Sequence, residues 1–157
     1  MDTQHHVQER QQQASQIMAC LRAIIPAILT RYPVDAAYVY GSVARGTVTP
    51  FSDVDVALVL SESPPPYERL MLELDIQAAI EDASGVSEAD VRAINEAPLS
   101  VRGKVVQQGV LVYERDRARR VSFEVQTRKR YFDFAPAAQR LRTAFLDRIH
   151  RKGLFRG

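Results

Sequence analysis

The sequence of 157 residues has no tryptophan, a single cysteine and no long apolar run. Cys20 therefore has no partner for a disulfide within the chain, and its place on the apolar face of a predicted helix indicates a packing residue. No apolar stretch approaches the roughly 20 residues that a membrane-spanning helix needs. The first thirteen residues are polar and lack the apolar core of a secretory signal. We expect a cytoplasmic protein with no membrane association.

Negative charge is scarce after residue 116. Residues 117–157 contain twelve lysines and arginines against three acidic residues, a net charge of +9, whereas residues 1–116 carry −7. The total length suits one domain with a core of its own. We predict an acidic domain over residues 1–116, which includes an N-terminal helix, and a basic helical extension over residues 117–157 that packs on it.

The basic extension has three interpretations. It could contact nucleic-acid phosphates without sequence specificity, dock an acidic partner protein, or form a solvated helix surface, which is the default. Its apolar residues are too many for a disordered arm. Leu141, Phe145 and Ile149 recur at a four-residue spacing, which predicts a helix with Pro136 in its first turn. Part of this apolar face should pack on the domain, and the surplus favours a protein partner over nucleic acid.

The segment YGSVARGTVTPFSDVDVALVL, which begins at Tyr40, is the most informative part of the sequence. A short strand over 36–40 is predicted to end at Gly41, and Ser42 is predicted to cap a helical turn that Gly46 closes. The backbone N–H groups of such a turn, together with the Ser42 hydroxyl, can hold phosphate oxygens. We therefore predict that Gly41 and Ser42 bind phosphate.

Two aspartates begin the next predicted strand, over 53–60. Because a strand alternates its side chains, Asp53 and Asp55 point to the same side. Two neighbouring carboxylates repel each other unless a cation lies between them, and hard oxygen ligands at this spacing suit Mg²⁺, which completes its coordination with water and substrate phosphates. The rest of the strand is apolar, which is typical of a central strand buried on both faces. The pattern indicates a metal-dependent enzyme that acts on a nucleoside triphosphate.

This spacing of residues resembles the signature of the DNA polymerase β-like nucleotidyltransferase superfamily. The short chain and the form of the motif are most similar to its minimal members of the MntA type, the adenylyltransferase antitoxins encoded beside HEPN-domain toxins. The bland alternative is a chance turn between two strands with a solvated acidic pair. The positions that carry the resemblance are Gly41-Ser42-x-Ala44-Arg45-Gly46 and Ser52-Asp53-x-Asp55.

The resemblance implies an α/β (α+β) nucleotidyltransferase fold, a small mixed β-sheet flanked by helices with a helical C-terminal extension. It also implies a third carboxylate on a neighbouring strand, and Asp90 on the predicted strand 88–94 matches that position. Its implied role is to take the proton from the attacking hydroxyl and to help bind a metal ion. Arg92 shares the face of Asp90 and could pair with that carboxylate or with a phosphate. The alternative for Asp90 is a surface aspartate paired with Arg92.

The implied reaction uses two Mg²⁺ ions, bound by Asp53, Asp55 and Asp90, and ATP as the substrate. AMP would pass to a tyrosine of a HEPN RNase toxin and neutralise it. Arg45 could contact a phosphate, or it could pack against Asp53 or a backbone carbonyl. Two other functions remain open, namely an antitoxin that acts only by binding its partner, and a nucleotidyltransferase for a small molecule or RNA.

Overall fold

The computed structural model describes residues 2–152. Residues 153–157, the end of the predicted extension, lie outside this description, as do the side chains of Asp2, Ala135 and Lys152. No helix within the described residues is long and apolar enough to cross a membrane. In chain order the elements are α1 (Asp2–Leu29), β1 (Val34–Tyr40), α2 (Gly41–Arg45), β2 (Val54–Leu60), α3 (Pro66–Ser84), β3 (Ala89–Ala93), α4 (Leu99–Gln108), β4 (Val110–Glu114) and α5 (Arg117–Lys152).

The four strands form one mixed sheet in the order β3-β2-β1-β4. Strands β1 and β2 are antiparallel, as are β1 and β4, whereas β2 and β3 run parallel because α3 returns the chain across the sheet. Strand β2 is a central strand, and its apolar residues are buried on both faces, as its sequence predicts. A small mixed sheet flanked by helices, with a helical extension after it, is the fold class that the sequence predicts.

Each face of the sheet is covered by different helices. On one face, apolar residues of α1 and α3, among them Leu21, Ile25 and Ile76, pack against β2 in the larger core. On the other face, Val105 of α4 and Phe123 of α5 pack on a smaller cluster of strand residues. Alternation along the strands places Asp55 and Asp90 on this second face, beyond the edge of the smaller cluster.

Helix α5 differs from its prediction because it runs without a break from Arg117 to Lys152. Pro136 lies inside this helix, so the prediction that it begins a separate helix is wrong. Proline removes the hydrogen bond to the carbonyl of Phe132, four residues earlier. Both residues are exposed, so water can bind that carbonyl, and the helix continues past the proline.

The first half of α5 is held on the sheet by polar contacts. The buried carboxylate of Asp35 in β1 accepts hydrogen bonds from Ser61 Oγ at 2.6 Å and from Arg119 Nη1 at 3.4 Å. The Tyr38 hydroxyl donates to Glu124 Oε1 at 2.7 Å, and burial is the main reason that the pKa of Tyr38 is raised. After residue 136 the exposed apolar side chains Leu141 and Phe145 face solvent. Among the described residues, the polar contacts that join the extension to the sheet come from its first half.

A glycine of α4 allows α5 to approach closely. A methyl group at Gly103 would overlap the ring of Tyr131. Gly→Ala inside a helix usually stabilises a protein by about 0.5–1 kcal/mol, but here the overlap should reverse the sign and cost about 1–3 kcal/mol. We expect Gly103→Ala to lower the urea midpoint of the wild type. The same substitution in a Tyr131→Ala background should lower the midpoint less, because the ring that the methyl group overlaps is gone. A Gly103→Ala protein more stable than the wild type would contradict this packing.

Candidate active site

The turn between β1 and α2 has the predicted path but a different cap. Helix α2 begins at Gly41, and the residue before it, Tyr40, is extended and occupies the cap position, so the prediction that Ser42 caps the helix is wrong. The glycine adopts φ of +71°, and this left-handed conformation lets the strand pass straight into the helix. Gly46, also at φ +71°, ends the helix as predicted.

A second constraint acts on Gly41. A methyl group built on this residue would overlap the carboxylate of Asp55. The strand pairing explains the close approach, because Tyr40 of β1 lies opposite Asp55 of β2. The glycine of the turn and the second aspartate of the motif are therefore in direct contact, although they are far apart in the segment.

Three residues form a row across the sheet at the same level. Tyr40 pairs with Asp55 on β2, and Asp55 pairs with Asp90 on the parallel strand β3. Asp53 lies just before β2, exposed to solvent. The structure thus brings the predicted third acid, Asp90, beside the aspartates of the motif.

The electrostatics of this row centre on Asp55. Burial raises the pKa of its carboxyl, the neighbouring carboxylates of Asp90 and Asp53 raise it further, and Arg45 and Arg92 act in the opposite direction. Burial also raises the pKa of the Tyr40 hydroxyl, with Asp55 and Asp90 as the next causes. Negative charge is therefore crowded at this point, and a bound cation would relieve the repulsion.

Asp90 and Asp53 each have another neighbour besides Asp55. Asp90 accepts a hydrogen bond from Arg92 Nε at 3.0 Å, which is the pairing considered as the alternative role for Asp90. A hydrogen bond with Asp53 is the main reason that the pKa of the exposed Glu88 is raised. Within residues 2–152, no group of three His, Cys, Asp or Glu side chains is gathered closely enough to hold a metal ion by itself. Substrate phosphates and water would have to complete the coordination of any ion at this point.

Arg45 lies at the end of α2 and is exposed. Among the described residues its guanidinium forms no hydrogen bond or ion pair, so it does not pack against Asp53 or a carbonyl through such a bond. Its charge lowers the pKa of Asp55, and it borders a cavity of about 580 Å³ between α1 and α2. A free guanidinium at this position can contact an incoming anion.

A second cavity of about 370 Å³ lies next to the acids, on the side of β3. Its apolar part comes from Tyr40 and Ile94 and from the residues around the start of α4, and its polar part from α3 and β3. No pattern in the sequence predicts this cavity, although strand alternation and the glycine after Tyr40 place that ring on the face of the acids. The lining residues are Tyr40, Arg69, Glu73, Arg92, Ala93, Ile94, Glu96, Ala97, Pro98 and Val101.

Part of this chain matches a known protein family. Residues 23–118, more than half of the chain, match the family described as polymerase beta, nucleotidyltransferase. The matched region runs from α1 to the start of α5 and contains Asp53, Asp55 and Asp90. Among curated proteins, none matches this chain significantly.

Several solved structures with a similar fold come from toxin–antitoxin complexes. A chain of a toxin–antitoxin complex with AMP-PNP is 21% identical, with a TM-score of 0.61 over 82% of this chain and 98% of that one. A chain of an MntA–HepT complex is 20% identical, with a TM-score of 0.50 over 87% and 96%. A chain from the tri-AMPylated HEPN toxin of Shewanella oneidensis in complex with its MNT antitoxin is also 20% identical, with a TM-score of 0.50 over 90% and 98%. At these identities the similarity shows the fold.

Proposed function

The chain belongs to the polymerase β nucleotidyltransferase family, and from this premise we propose that it is an antitoxin that transfers AMP from ATP to a tyrosine of a HEPN-domain toxin. One observation carries the proposal. Asp55 and Asp90 lie side by side on parallel strands, with Asp53 beside them, and the charge of each opposes ionisation of Asp55. Acids are held together at such a cost where a reaction uses them.

The donor set fits Mg²⁺. Asp53, Asp55 and Asp90 offer only hard carboxylate oxygens, and their mutual repulsion is relieved by a divalent cation. Two Mg²⁺ ions, when bound, would lower the pKa of the acceptor hydroxyl and neutralise the leaving pyrophosphate. Asp53 and Asp55 would hold the ions, and Asp90 would help and accept the proton of the attacking hydroxyl.

The triphosphate would lie over the turn that begins α2. The backbone N–H groups of Gly41 and Ser42 and the Ser42 hydroxyl would bind its oxygens. Arg45 would contact a phosphate, which is supported by its exposure and by the absence of any hydrogen bond or ion pair from it within residues 2–152. Arg92 would hold the Asp90 carboxylate in position through its hydrogen bond at 3.0 Å.

A protein partner is supported by the extension. Beyond Pro136, α5 carries exposed apolar residues and basic residues, so a surface is available for an acidic protein. The structures of similar fold contain toxin–antitoxin pairs, and one of them contains an AMPylated HEPN toxin. A HEPN-domain RNase is therefore the proposed partner.

Two other functions have support of their own. A binding protein without turnover is favoured by the Asp90–Arg92 hydrogen bond, which occupies the proposed base. A nucleotidyltransferase for RNA or a small molecule is favoured by the net charge of +9 over residues 117–157. A steep salt dependence of RNA binding would support the second of these.

The proposal is tested by intact-mass spectrometry of a HEPN-domain protein incubated with this protein, ATP and Mg²⁺. We expect the partner to gain roughly 329 Da per AMP, because attack at the α-phosphorus transfers the nucleoside monophosphate. AMP-PNP should still support transfer, since its α–β bridge is an ordinary oxygen, whereas α,β-methylene-ATP should not.

EDTA should stop the reaction. An unmodified but inhibited partner in a stable complex would overturn the enzymatic proposal in favour of binding alone.

A further inference from the structure

The cavity beside the acids extends from Tyr40, the residue before the phosphate-binding turn, towards the edge strand β3. Helix α2 joins β1 to β2, so a triphosphate bound at its start lies over those two strands. From Tyr40 at the end of β1, the cavity continues past β3, the edge strand, and past the start of α3. Asp90 on β3 pairs with Asp55 and accepts a hydrogen bond from Arg92, which lines the cavity.

The geometry of phosphoryl transfer predicts the side from which the acceptor approaches the phosphorus. In an in-line displacement the attacking oxygen and the leaving oxygen lie on opposite sides of the phosphorus. With the pyrophosphate at α2 and the phosphorus over the acids, the acceptor must approach from the β3 side. The cavity opens at that position.

The walls of the cavity suit a flat ring that carries a polar group. The ring of Tyr40, the buried side chain of Ile94 and the exposed side chains of Pro98 and Val101 form its apolar surface. At about 370 Å³ its volume is near the lower limit for ligand pockets, which suits one side chain better than a drug-sized acceptor.

An ion pair borders the cavity at its outer side. Arg69 of α3 donates from Nη1 to Glu96 Oε2 at 3.1 Å, which links α3 to the loop after β3. Glu73 of α3 accepts a hydrogen bond from the backbone N–H of Ala93 at 2.8 Å. These contacts fix the position of α3 beside the strand, so the cavity is a built feature of the fold.

We infer that this cavity is the acceptor site, and that it receives the phenol ring of the partner's tyrosine against Tyr40, Pro98 and Val101, with the hydroxyl directed towards Asp90. This inference rests on the proposed function and adds the location of the acceptor. In the step, the phenol oxygen forms a bond to the α-phosphorus of ATP, and the bond from that phosphorus to the α–β bridging oxygen breaks. The proton of the phenol passes to the Asp90 carboxylate, and pyrophosphate leaves on the α2 side.

The inference is tested by filling the cavity from its rim. Val101 is 37% exposed on α4, so Val101→Trp should fold normally and occupy the ring position. Val121→Trp is the matched control, because Val121 is 41% exposed on α5 and outside the cavity lining. For each variant we would measure AMP transfer to the HEPN-domain partner, affinity for α,β-methylene-ATP with Mg²⁺, and affinity for the partner.

We expect Val101→Trp to slow transfer by about tenfold or more, as displacement of a reacting group does, while both affinities stay within about twofold of the wild type. Val121→Trp should change none of the three. Normal transfer by Val101→Trp would overturn the inference. If the affinity for the nucleotide fell by as much as transfer does, the inference would also be overturned, because the cavity would then bind the nucleoside. A matching loss of partner affinity would show a docking contact instead.

The proposed function can fail separately from this inference. If the wild type transfers no AMP to the partner, the proposed function fails, and the acceptor site fails with it. If the wild type transfers AMP and Val101→Trp transfers it equally well, only the acceptor site is wrong. Transfer to a residue other than tyrosine, read by peptide mass spectrometry, would overturn the phenol assignment.

Discussion

Replacing Asp55 with asparagine is expected to lower AMP transfer by about a thousandfold or more and, at neutral pH, to raise the melting temperature. The loss of activity follows because the carboxylate that would hold the metal ions is removed, and metal ions provide most of the charge stabilisation in this chemistry. The gain in stability follows because burial and the charges of Asp90 and Asp53 oppose the ionisation of Asp55. Opposite effects on activity and stability are the mark of a side chain kept for function.

The raised pKa of Asp55 explains why Asp55→Asn should be more stable than the wild type at neutral pH. The pKa of Asp55 in the folded protein is raised above its ordinary value of 3.8. The folded state therefore binds the proton more tightly than the unfolded state, and the wild type loses stability as the pH rises through the interval between the two values. Asp55→Asn lacks this loss. Melting curves in EDTA, from about pH 3 to pH 7, should converge at the acidic end and separate as the pH rises.

Asp75→Asn is the matched control for the loss of one negative charge. Asp75 is exposed on α3, outside both the row of acids and the cavity. This variant should retain full AMP transfer and a melting temperature close to that of the wild type. If Asp55→Asn still neutralised the partner as well as the wild type does, the acids would be dispensable and the protein would act by binding.

The relative positions of the aspartates and glycines of the site can be predicted from local sequence patterns. The alternation of a strand places Asp53 and Asp55 together, and the glycines at positions 41 and 46 mark both ends of a short helix. The parallel pairing of β2 and β3, which sets Asp90 beside Asp55, agrees with the third acid that the family resemblance implies. These features depend on residues a few positions apart or on one strand pairing.

The cavity and the state of Asp90 depend on contacts between distant segments. Tyr40, Arg69 and Val101 belong to three different elements, and no local pattern in the sequence links them. Strand alternation allows Asp90 and Arg92 to pair, but only the structure shows their hydrogen bond at 3.0 Å. Pro136 shows that a local pattern can also mislead. Proline favours the first turn of a helix, but here it lies inside an exposed, continuous helix.

Gly41→Ala is expected to lower AMP transfer by about a hundredfold, because a reacting group that moves by about 1 Å loses activity on that scale. Two effects act on this residue. Its φ of +71° costs an L-residue about 1–2 kcal/mol, and its new methyl group would overlap the Asp55 carboxylate. The strand pairing of Tyr40 with Asp55 keeps the two segments from separating, so the carboxylate has to move away from the metal-binding position.

Gly85→Ala separates the two effects. Gly85 ends α3 with φ of +70°, almost the same conformation, but a methyl group there meets nothing within 4 Å. Both variants should therefore lose the conformational term of about 1–2 kcal/mol in urea unfolding, and Gly41→Ala should lose about 1–3 kcal/mol more from the overlap. Only Gly41→Ala should lose AMP transfer. Equal activity in the two variants would mean that the contact between Gly41 and Asp55 does not position the carboxylate, and the turn would then serve the backbone path alone.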